Sequence, residues 1–185
     1  SLNPEYAEAY YNLGLTLQEQ GKLEESIESY NKALSLKPDY INAHNNVGNA
    51  FRDQGKLKEA MEAYKIALSM KPGYAEVHNN MGLILHQQSK LEESIESYKK
   101  AILLKPNYAD AYNNMGNALK DQGQLGLAIK AYKSAISLKP GYAVAHNNLS
   151  FAFLNSGRFR EGLAEYEWRW ENPDNKSIRR HFLRP

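Results

Sequence analysis

The sequence predicts an all-α solenoid built from five successive helical hairpins. Proline recurs every 34 residues, and a tyrosine follows two residues later each time. The prolines are Pro4, Pro38, Pro72, Pro106 and Pro140, and the tyrosines are Tyr6, Tyr40, Tyr74, Tyr108 and Tyr142. A fixed period of this length indicates a solenoid, in which each unit buries its apolar face against its neighbours.

Each repeat is predicted to contain two short helices. In residues 7–40 the apolar side chains form two runs with helical spacing. The first run is Ala9, Tyr10, Leu13 and Leu17, and the second is Leu23, Ile27, Tyr30, Ala33 and Leu34. Gly21 separates the runs and Pro38 ends the second, because glycine permits a tight turn and proline cannot continue a helix.

The same period divides the chain into segments. Residues 1–6 are expected to be the end of a preceding repeat, so that the chain reads as an excised fragment. Five repeats are predicted at 7–40, 41–74, 75–108, 109–142 and 143–176, the last of them degenerate at its end. Residues 177–185 are predicted to be a basic tail or linker.

Two serines break the pattern. Ser89 stands where other repeats have a turn glycine, and with Glu92 it predicts a capping box for the following helix. Ser150 replaces a glycine that recurs in the other first helices, so this column does not predict how the last repeat packs. The turn glycines are Gly21, Gly55, Gly123 and Gly157, and the helix glycines are Gly14, Gly48, Gly82 and Gly116.

Composition and charge exclude several functional classes. The chain has no cysteine and no apolar run of about 18 residues, so we expect no thiolate metal site and no membrane segment. The chain has a net charge of +2. Residues 175–185 carry a charge of +4, so the repeats before them carry −2. A nucleic-acid-binding repeat would carry a basic stripe, so this class is disfavoured. We expect a cytoplasmic protein.

No catalytic signature is present, and we expect a non-catalytic chain without a cofactor. The sequence has no P-loop, no HExxH and no Gly-x-Ser-x-Gly motif. His44, His78 and His146 share one repeat position, but tyrosine fills that position in two other repeats. The histidines are therefore interpreted as packing residues rather than metal ligands.

These columns resemble the tetratricopeptide repeat family over about residues 1–172. The resemblance is carried by the helix glycines, the prolines and two further columns. These are Tyr30, Tyr64, Tyr98, Tyr132 and Tyr166, followed by Ala33, Ala67, Ala101 and Ala135. It implies a right-handed superhelical solenoid whose first helices line a concave groove. We number repeat positions from the residue after the tyrosine, and the family exposes positions two, five, six, nine, twelve and thirteen in that groove.

Asparagine dominates these groove positions. Position six is Asn12, Asn46, Asn80, Asn114 and Asn148, position five includes Asn45, Asn79, Asn113 and Asn147, and position nine adds Asn49 and Asn117. An amide has a donor and an acceptor, as a peptide bond requires. Helices about 8–10 Å apart would meet an extended chain at about every third residue. The sequence therefore predicts an extended polypeptide ligand.

Two alternatives for the asparagines stay open. They could bond to the neighbouring first helix, or cap solvated groups on an exposed surface. At position five these roles are as plausible as ligand binding. At position six ligand contact is favoured, because asparagine is a poor helix former and five in register have no propensity rationale.

Charged residues at positions twelve and thirteen predict selectivity. Arg52 and Lys120 are each followed by an aspartate, Asp53 and Asp121. Such pairs could select charged side chains of a ligand.

The last stretch allows three hypotheses about the parent protein. Glu165–Trp170 is expected to cap the final apolar face. The stretch and the asparagine columns also resemble bacterial proteins similar to O-linked N-acetylglucosamine transferases, which implies a substrate-recruiting arm of a glycosyltransferase. The alternative is a self-assembling oligomeric scaffold, in which the chain ends stack or pair as a homo-oligomer.

Overall fold

The computed structural model describes residues 4–171, and side chains within residues 6–168; it is helical throughout, without a strand in this range. Its helices are α1 (Pro4–Glu19), α2 (Leu23–Leu36), α3 (Ile41–Asp53), α4 (Leu57–Met70), α5 (Ala75–Gln87), α6 (Leu91–Leu104), α7 (Ala109–Asp121), α8 (Leu125–Leu138), α9 (Ala143–Asn155) and α10 (Phe159–Glu171). The all-α prediction is confirmed. The predicted tail at 177–185 and the side chain of Trp170 lie outside the described residues.

The chain divides within α5 into two compact units, the first ending at Ile84 and the second beginning at Leu85. In the first unit α2 packs between α1 and α3, and α3 packs on α4. In the second unit α6 to α10 pack in chain order. First helices of successive repeats also touch, α1 against α3 and α7 against α9. Each unit is therefore a run of sequentially packed helices.

Tyrosines of the second helices fill the core. Tyr30, Tyr64 and Tyr132 are fully buried. A Cβ added at Gly48 would lie 2.4 Å from the Tyr64 ring, and one added at Gly14 would lie 2.5 Å from the Tyr30 ring. The helix glycines thus make room for a tyrosine ring against the first helix of the same repeat.

The turn inside each repeat needs a left-handed residue. Gly21 has a φ of +74°, and Ser89 adopts the same region at +59°. The expected capping box is wrong, because the N-cap of α6 is Lys90 and makes no side-chain cap hydrogen bond. Ser89 therefore replaces glycine at a backbone position that disfavours it.

The turn between repeats is built from a Lys-Pro-x-Tyr sequence. The helix α2 ends at Leu36, and the Lys37 N–H bonds to the Ala33 carbonyl. The Lys37 Nζ lies 5.0 Å from the centre of the Tyr40 ring, and the same contact recurs in the later turns. Proline and this cation–π contact fix the reversal between hairpins.

The last repeat is well packed at Ser150, although serine replaces the helix glycine there. Ser150 is fully buried, and its hydroxyl donates a 2.7 Å hydrogen bond to the Gly162 carbonyl.

Within the part of the chain described, no helix has both the length and the apolar character needed to cross a membrane.

Candidate functional site

The asparagine columns of the first unit are joined into one hydrogen-bonded network. Asn46 on α3 donates through Nδ2 to the Tyr11 hydroxyl on α1, at 3.0 Å. Its Oδ1 accepts from Asn45 at 3.0 Å and from Asn49 at 3.4 Å. Position six of one repeat is thus tied to position five of the preceding one.

Asn80 continues the network from α5. Its Nδ2 donates to Asn49 at 2.9 Å and to Asn45 at 3.2 Å. Asn49 also accepts the Tyr64 hydroxyl at 2.8 Å. The amide nitrogen of Asn80 is therefore used between repeats, while its Oδ1 accepts no hydrogen bond from a described residue.

The second unit has the same arrangement. Asn148 on α9 donates to Asn113 on α7 at 2.9 Å, and Asn117 accepts the Tyr132 hydroxyl at 2.8 Å. In both units a position-six amide donates to position five of the preceding repeat. At Asn80 and Asn148 the amide oxygen accepts no hydrogen bond from a described residue, whereas the oxygen of Asn46 is used within its own helix.

Burial separates the columns. At position five, Asn45, Asn79 and Asn113 are buried, whereas Asn147 is exposed. At position six, Asn12 is exposed and the other four asparagines are partly exposed. Asn49 and Asn117 at position nine are also partly exposed. All five position-six side chains are therefore at least partly accessible, whereas three of the four asparagines at position five are buried.

Charged side chains form a small cluster in each unit. Arg52 contacts Asp53 through Nε at 3.2 Å and a terminal nitrogen at 3.0 Å, and Gln18 reaches the other carboxylate oxygen at 3.4 Å. In the second unit Asp121 lies 2.8 Å from His86 Nε2 and 3.4 Å from Lys120 Nζ. Each aspartate is thus held by its own repeat and by position twelve of the preceding one.

A cavity of about 530 Å³ in the second unit brings several predicted residues together. Asn148, Lys120 and Asp121 line it with Phe151 and Asn155. Phe151 is 49% exposed although it is a large aromatic residue. Sequence analysis missed it, and the signal was its place at position nine, where two other repeats have asparagine.

Tyrosines next to the amides keep their protons. Burial raises the pKa of Tyr11, and its hydrogen bond with Asn46 acts in the opposite direction. Burial likewise raises the pKa of Tyr64 well above its usual value and that of Tyr30 to about 12. These hydroxyls are therefore neutral hydrogen-bonding groups near neutral pH.

The shared histidine position is structural. The Nε2 atoms of His44, His78 and His146 each lie 2.9 Å from the carbonyl oxygen of the preceding turn proline. No group of three or more metal-ligating side chains occurs among the described residues. Each of these histidines therefore links its first helix to the preceding turn.

Comparison with models of known protein families shows which family this chain belongs to. The model described as "TPR repeat" matches residues 16–51, 48–89, 82–123 and 116–157, and one described as "Tetratricopeptide repeat" matches residues 1–28. The chain belongs to the tetratricopeptide repeat family. Comparison with curated protein sequences gives no match.

Solved tetratricopeptide repeat structures share the fold. A crystal structure of MamA is 25% identical, with a TM-score of 0.76, and the match covers 94% of this chain and 95% of that one. PilF of Pseudomonas aeruginosa is 23% identical with a TM-score of 0.82, covering 88% and 74%. YrrB, described as a TPR protein with an unusual peptide-binding site, is 22% identical with a TM-score of 0.69, covering 97% and 92%. Family and fold together support a protein-interaction module.

Proposed function

We propose that this tetratricopeptide repeat chain holds an extended polypeptide along its first helices, with the position-six asparagines gripping the main chain. The observation that carries the proposal is the orientation of Asn80 and Asn148. Each donates hydrogen bonds from its amide nitrogen to the preceding repeat, and its amide oxygen has no partner among the described residues. A peptide N–H is the complementary donor.

The proposed contacts recognise the main chain of the bound polypeptide and do not depend on its side chains. Each hydrogen bond is worth about 0.5–1.5 kcal/mol net, so several rungs are needed for useful affinity. Selectivity would come from the clusters around Arg52 and Lys120, which offer a base beside an aspartate at the edge of the amide columns. YrrB supplies a precedent within the fold, since it is described as having a peptide-binding site.

Peptide binding by alanine variants tests the proposal. We expect Asn46→Ala, Asn80→Ala and Asn114→Ala together to weaken many labelled, unstructured peptides by about tenfold or more. Asn31→Ala with Asn107→Ala is the matched control, because both asparagines are exposed and lie outside the first helices. Fluorescence anisotropy gives the affinities, and circular dichroism reports the fold.

Asn12→Ala separates binding from stability. Asn46 and Asn80 also bond to the preceding repeat, so their loss could loosen the array. The Asn12 side chain is exposed and makes no hydrogen bond with a described residue. A weaker affinity in Asn12→Ala with an unchanged unfolding midpoint supports the proposal. Affinities equal to that of the unchanged chain, in both Asn12→Ala and the triple variant, contradict it.

A self-assembling scaffold is the second candidate, favoured by exposed apolar side chains on α1 and α10. Leu13 is 47% exposed, although Val47 and Leu149 at the same repeat position are buried. Phe159 and Leu163 on α10 are 64% and 56% exposed. Light scattering over a range of concentrations decides this, since a monomer at every concentration removes the scaffold hypothesis.

Recruitment for a glycosyltransferase is a narrower form of the peptide-binding proposal. Its support is the likeness of the asparagine columns to those of O-linked N-acetylglucosamine transferases. The chain would then present substrate polypeptides to a catalytic domain elsewhere in the parent protein. Co-expression of this chain with such a domain, followed by a measurement of client glycosylation in the asparagine variants, tests that form directly.

A further inference from the structure

A second cavity lies in a groove between α6 and α8, with α7 as its floor. Its volume is about 470 Å³, within the range of small-ligand and side-chain sites. Ile95, Tyr112, Met115 and Leu119 give it apolar walls, and Ser134 lines it from α8. None of the asparagines of the proposed peptide-binding columns lines this cavity, which we call the α6–α8 groove.

The sequence of α8 is unusual where it borders this groove. Its second and third residues are Gly126 and Leu127, where α6 has Glu92 and Glu93 and the other second helices also have charged pairs. Leu127 is 47% exposed, and the space beside Gly126 is open. The first turn of α8 contains no acidic residue. The charges that border the other second helices are thus missing here.

In the following repeat, the space that corresponds to this groove is occupied by a tryptophan side chain of that repeat. Trp168 on α10 stacks on His146, with ring centres 3.6 Å apart and planes inclined by 9°. Glu165 fixes the same histidine through Nδ1 at 2.7 Å. Counting back 34 residues, Trp168 corresponds to Ser134 and His146 corresponds to Tyr112. The α6–α8 groove therefore has the aromatic floor of that contact without the indole.

We propose that the α6–α8 groove binds an aromatic side chain, foremost tryptophan, presented by a partner polypeptide, with the ring lying against Tyr112. The ring would bury a large apolar surface beside Met115 and Leu119 and stack as Trp168 does on His146. This site goes beyond the peptide grip of the first helices and involves different residues.

Charge on the border of the groove specifies the partner further. Lys130 lies on the α8 wall, is exposed and forms no ion pair with a described residue. On the α6 wall, Glu96 pairs with Lys99 at 2.7 Å, and Glu92 accepts a hydrogen bond from Gln122. Because the amide of Gln122 is neutral, Glu92 keeps its negative charge on the α6 wall, whereas the open charge on the α8 wall is the positive one of Lys130. An acidic residue beside the aromatic one complements Lys130 and the N-terminal turn of α8.

Nuclear magnetic resonance of the ¹⁵N-labelled chain tests the site. The probes are the peptide acetyl-Gly-Ser-Glu-Trp-Gly-Ser-amide and two versions of it, one with alanine for tryptophan and one with lysine for glutamate. We expect shifts at Tyr112, Leu127 and Ser134 with the tryptophan peptide. Affinity should fall by about tenfold or more with the alanine version and by a smaller factor with the lysine version.

Three variants provide the controls. Ser134→Trp places an indole where Trp168 stands in the next repeat, so the groove fills itself and the peptide shifts should disappear. Ser134→Thr keeps a small hydroxyl residue and should retain them. Leu127→Glu introduces the acid that α6 has at this position, is confined to an exposed site and should weaken binding without unfolding the chain.

Three results would overturn the proposal. One is the absence of tryptophan-dependent shifts at the groove, and another is their persistence in Ser134→Trp. The third is a change of the groove resonances with protein concentration alone, which would assign the groove to a second copy of the chain. Loss of the asparagine-dependent affinity leaves this test unaffected, because the short peptide is read only at groove residues.

Discussion

The hydroxyl of Ser26 on α2 donates a 2.8 Å hydrogen bond to the carbonyl oxygen of Gly14 on α1. The fifth repeat has the same bond in the opposite direction, from Ser150 on the first helix to Gly162 on the second. These residues occupy the same two repeat positions. The serine that replaced a helix glycine is therefore matched by a glycine that replaced its partner, and the crossing keeps one hydroxyl and one glycine.

Exchanging this pair should show coupling. Ser150→Gly alone removes the bond and leaves glycine in both helices, which should lower the free energy of unfolding by about 1–2 kcal/mol. Gly162→Ser alone forces a Cβ to within 2.7 Å of Leu154 and should also destabilise. The double variant recreates the arrangement of Gly14 and Ser26, so its loss should be smaller than the sum. Urea unfolding of all four proteins measures the coupling, and strict additivity would contradict it.

Alanine at two glycines should act in opposite directions. In Gly48→Ala the new methyl group meets the Tyr64 ring at 2.4 Å, so we expect a loss of about 1–3 kcal/mol. In Gly126→Ala the methyl group meets nothing within 4 Å, so better helix propensity should add about 0.5 kcal/mol. Thermal and urea unfolding provide the comparison. A neutral Gly48→Ala would show that the helices separate more easily than their packing indicates.

Ser89→Gly should stabilise the chain. The serine has a φ of +59°, a region that disfavours an L-residue by about 1–2 kcal/mol. Glycine removes that penalty but has more freedom in the unfolded chain, so the net gain should be about 0.5–1 kcal/mol. Gly55→Ser, at the corresponding turn with a φ of +77°, is the reciprocal control and should destabilise. An unchanged midpoint in both variants would mean that the turns relax at little cost.

Alkaline pH should unfold the array through its buried tyrosines. Burial raises the pKa of Tyr30 to about 12 and that of Tyr98 to about 12, above the ordinary value of 10.0. Because folding favours the neutral phenol, its contribution is fully present below pH 10 and is lost as pH rises through the folded pKa. Each such group should then remove about 1.4 kcal/mol per pH unit within that window.

Absorbance of tyrosinate and chemical unfolding at several pH values check this expectation. Tyr30→Phe should make the alkaline loss of stability less steep, since one raised pKa is removed. Tyr6→Phe is the control, because Tyr6 is 61% exposed. Titration of all tyrosines near pH 10 in the folded chain would contradict the expectation.

Local sequence predicted the helices well, because their signals act over a few residues. Pro38 and Pro72 follow the ends of α2 and α4, and Gly21 adopts the left-handed turn. Ser89 was misread as part of a capping box, because the sequence does not reveal that its backbone has a positive φ. The packing at Ser150 was not predictable from local sequence, since its compensation at Gly162 lies on another helix.

The sequence predicted which residues form the candidate site, but it did not predict the hydrogen bonds between them. The asparagine columns are visible in the sequence, yet the partners of Asn46 and Asn80 lie on a neighbouring first helix about one repeat away. Their hydrogen bonds therefore depend on how successive first helices pack. The α6–α8 groove is a still stronger case, because Ser134 and Leu127 matter only once Tyr112 is placed beside them.

The sequence alone determined the all-α repeat architecture, its period and the amide columns, since proline, glycine and helical spacing act on nearby backbone. Tertiary structure decided which hydrogen bonds the asparagines form, which glycine accommodates a tyrosine ring and where a ring-sized cavity remains. The physical reason is that hydrogen bonds and packing volumes arise between side chains on different helices, brought within contact only by the stacking of the repeats.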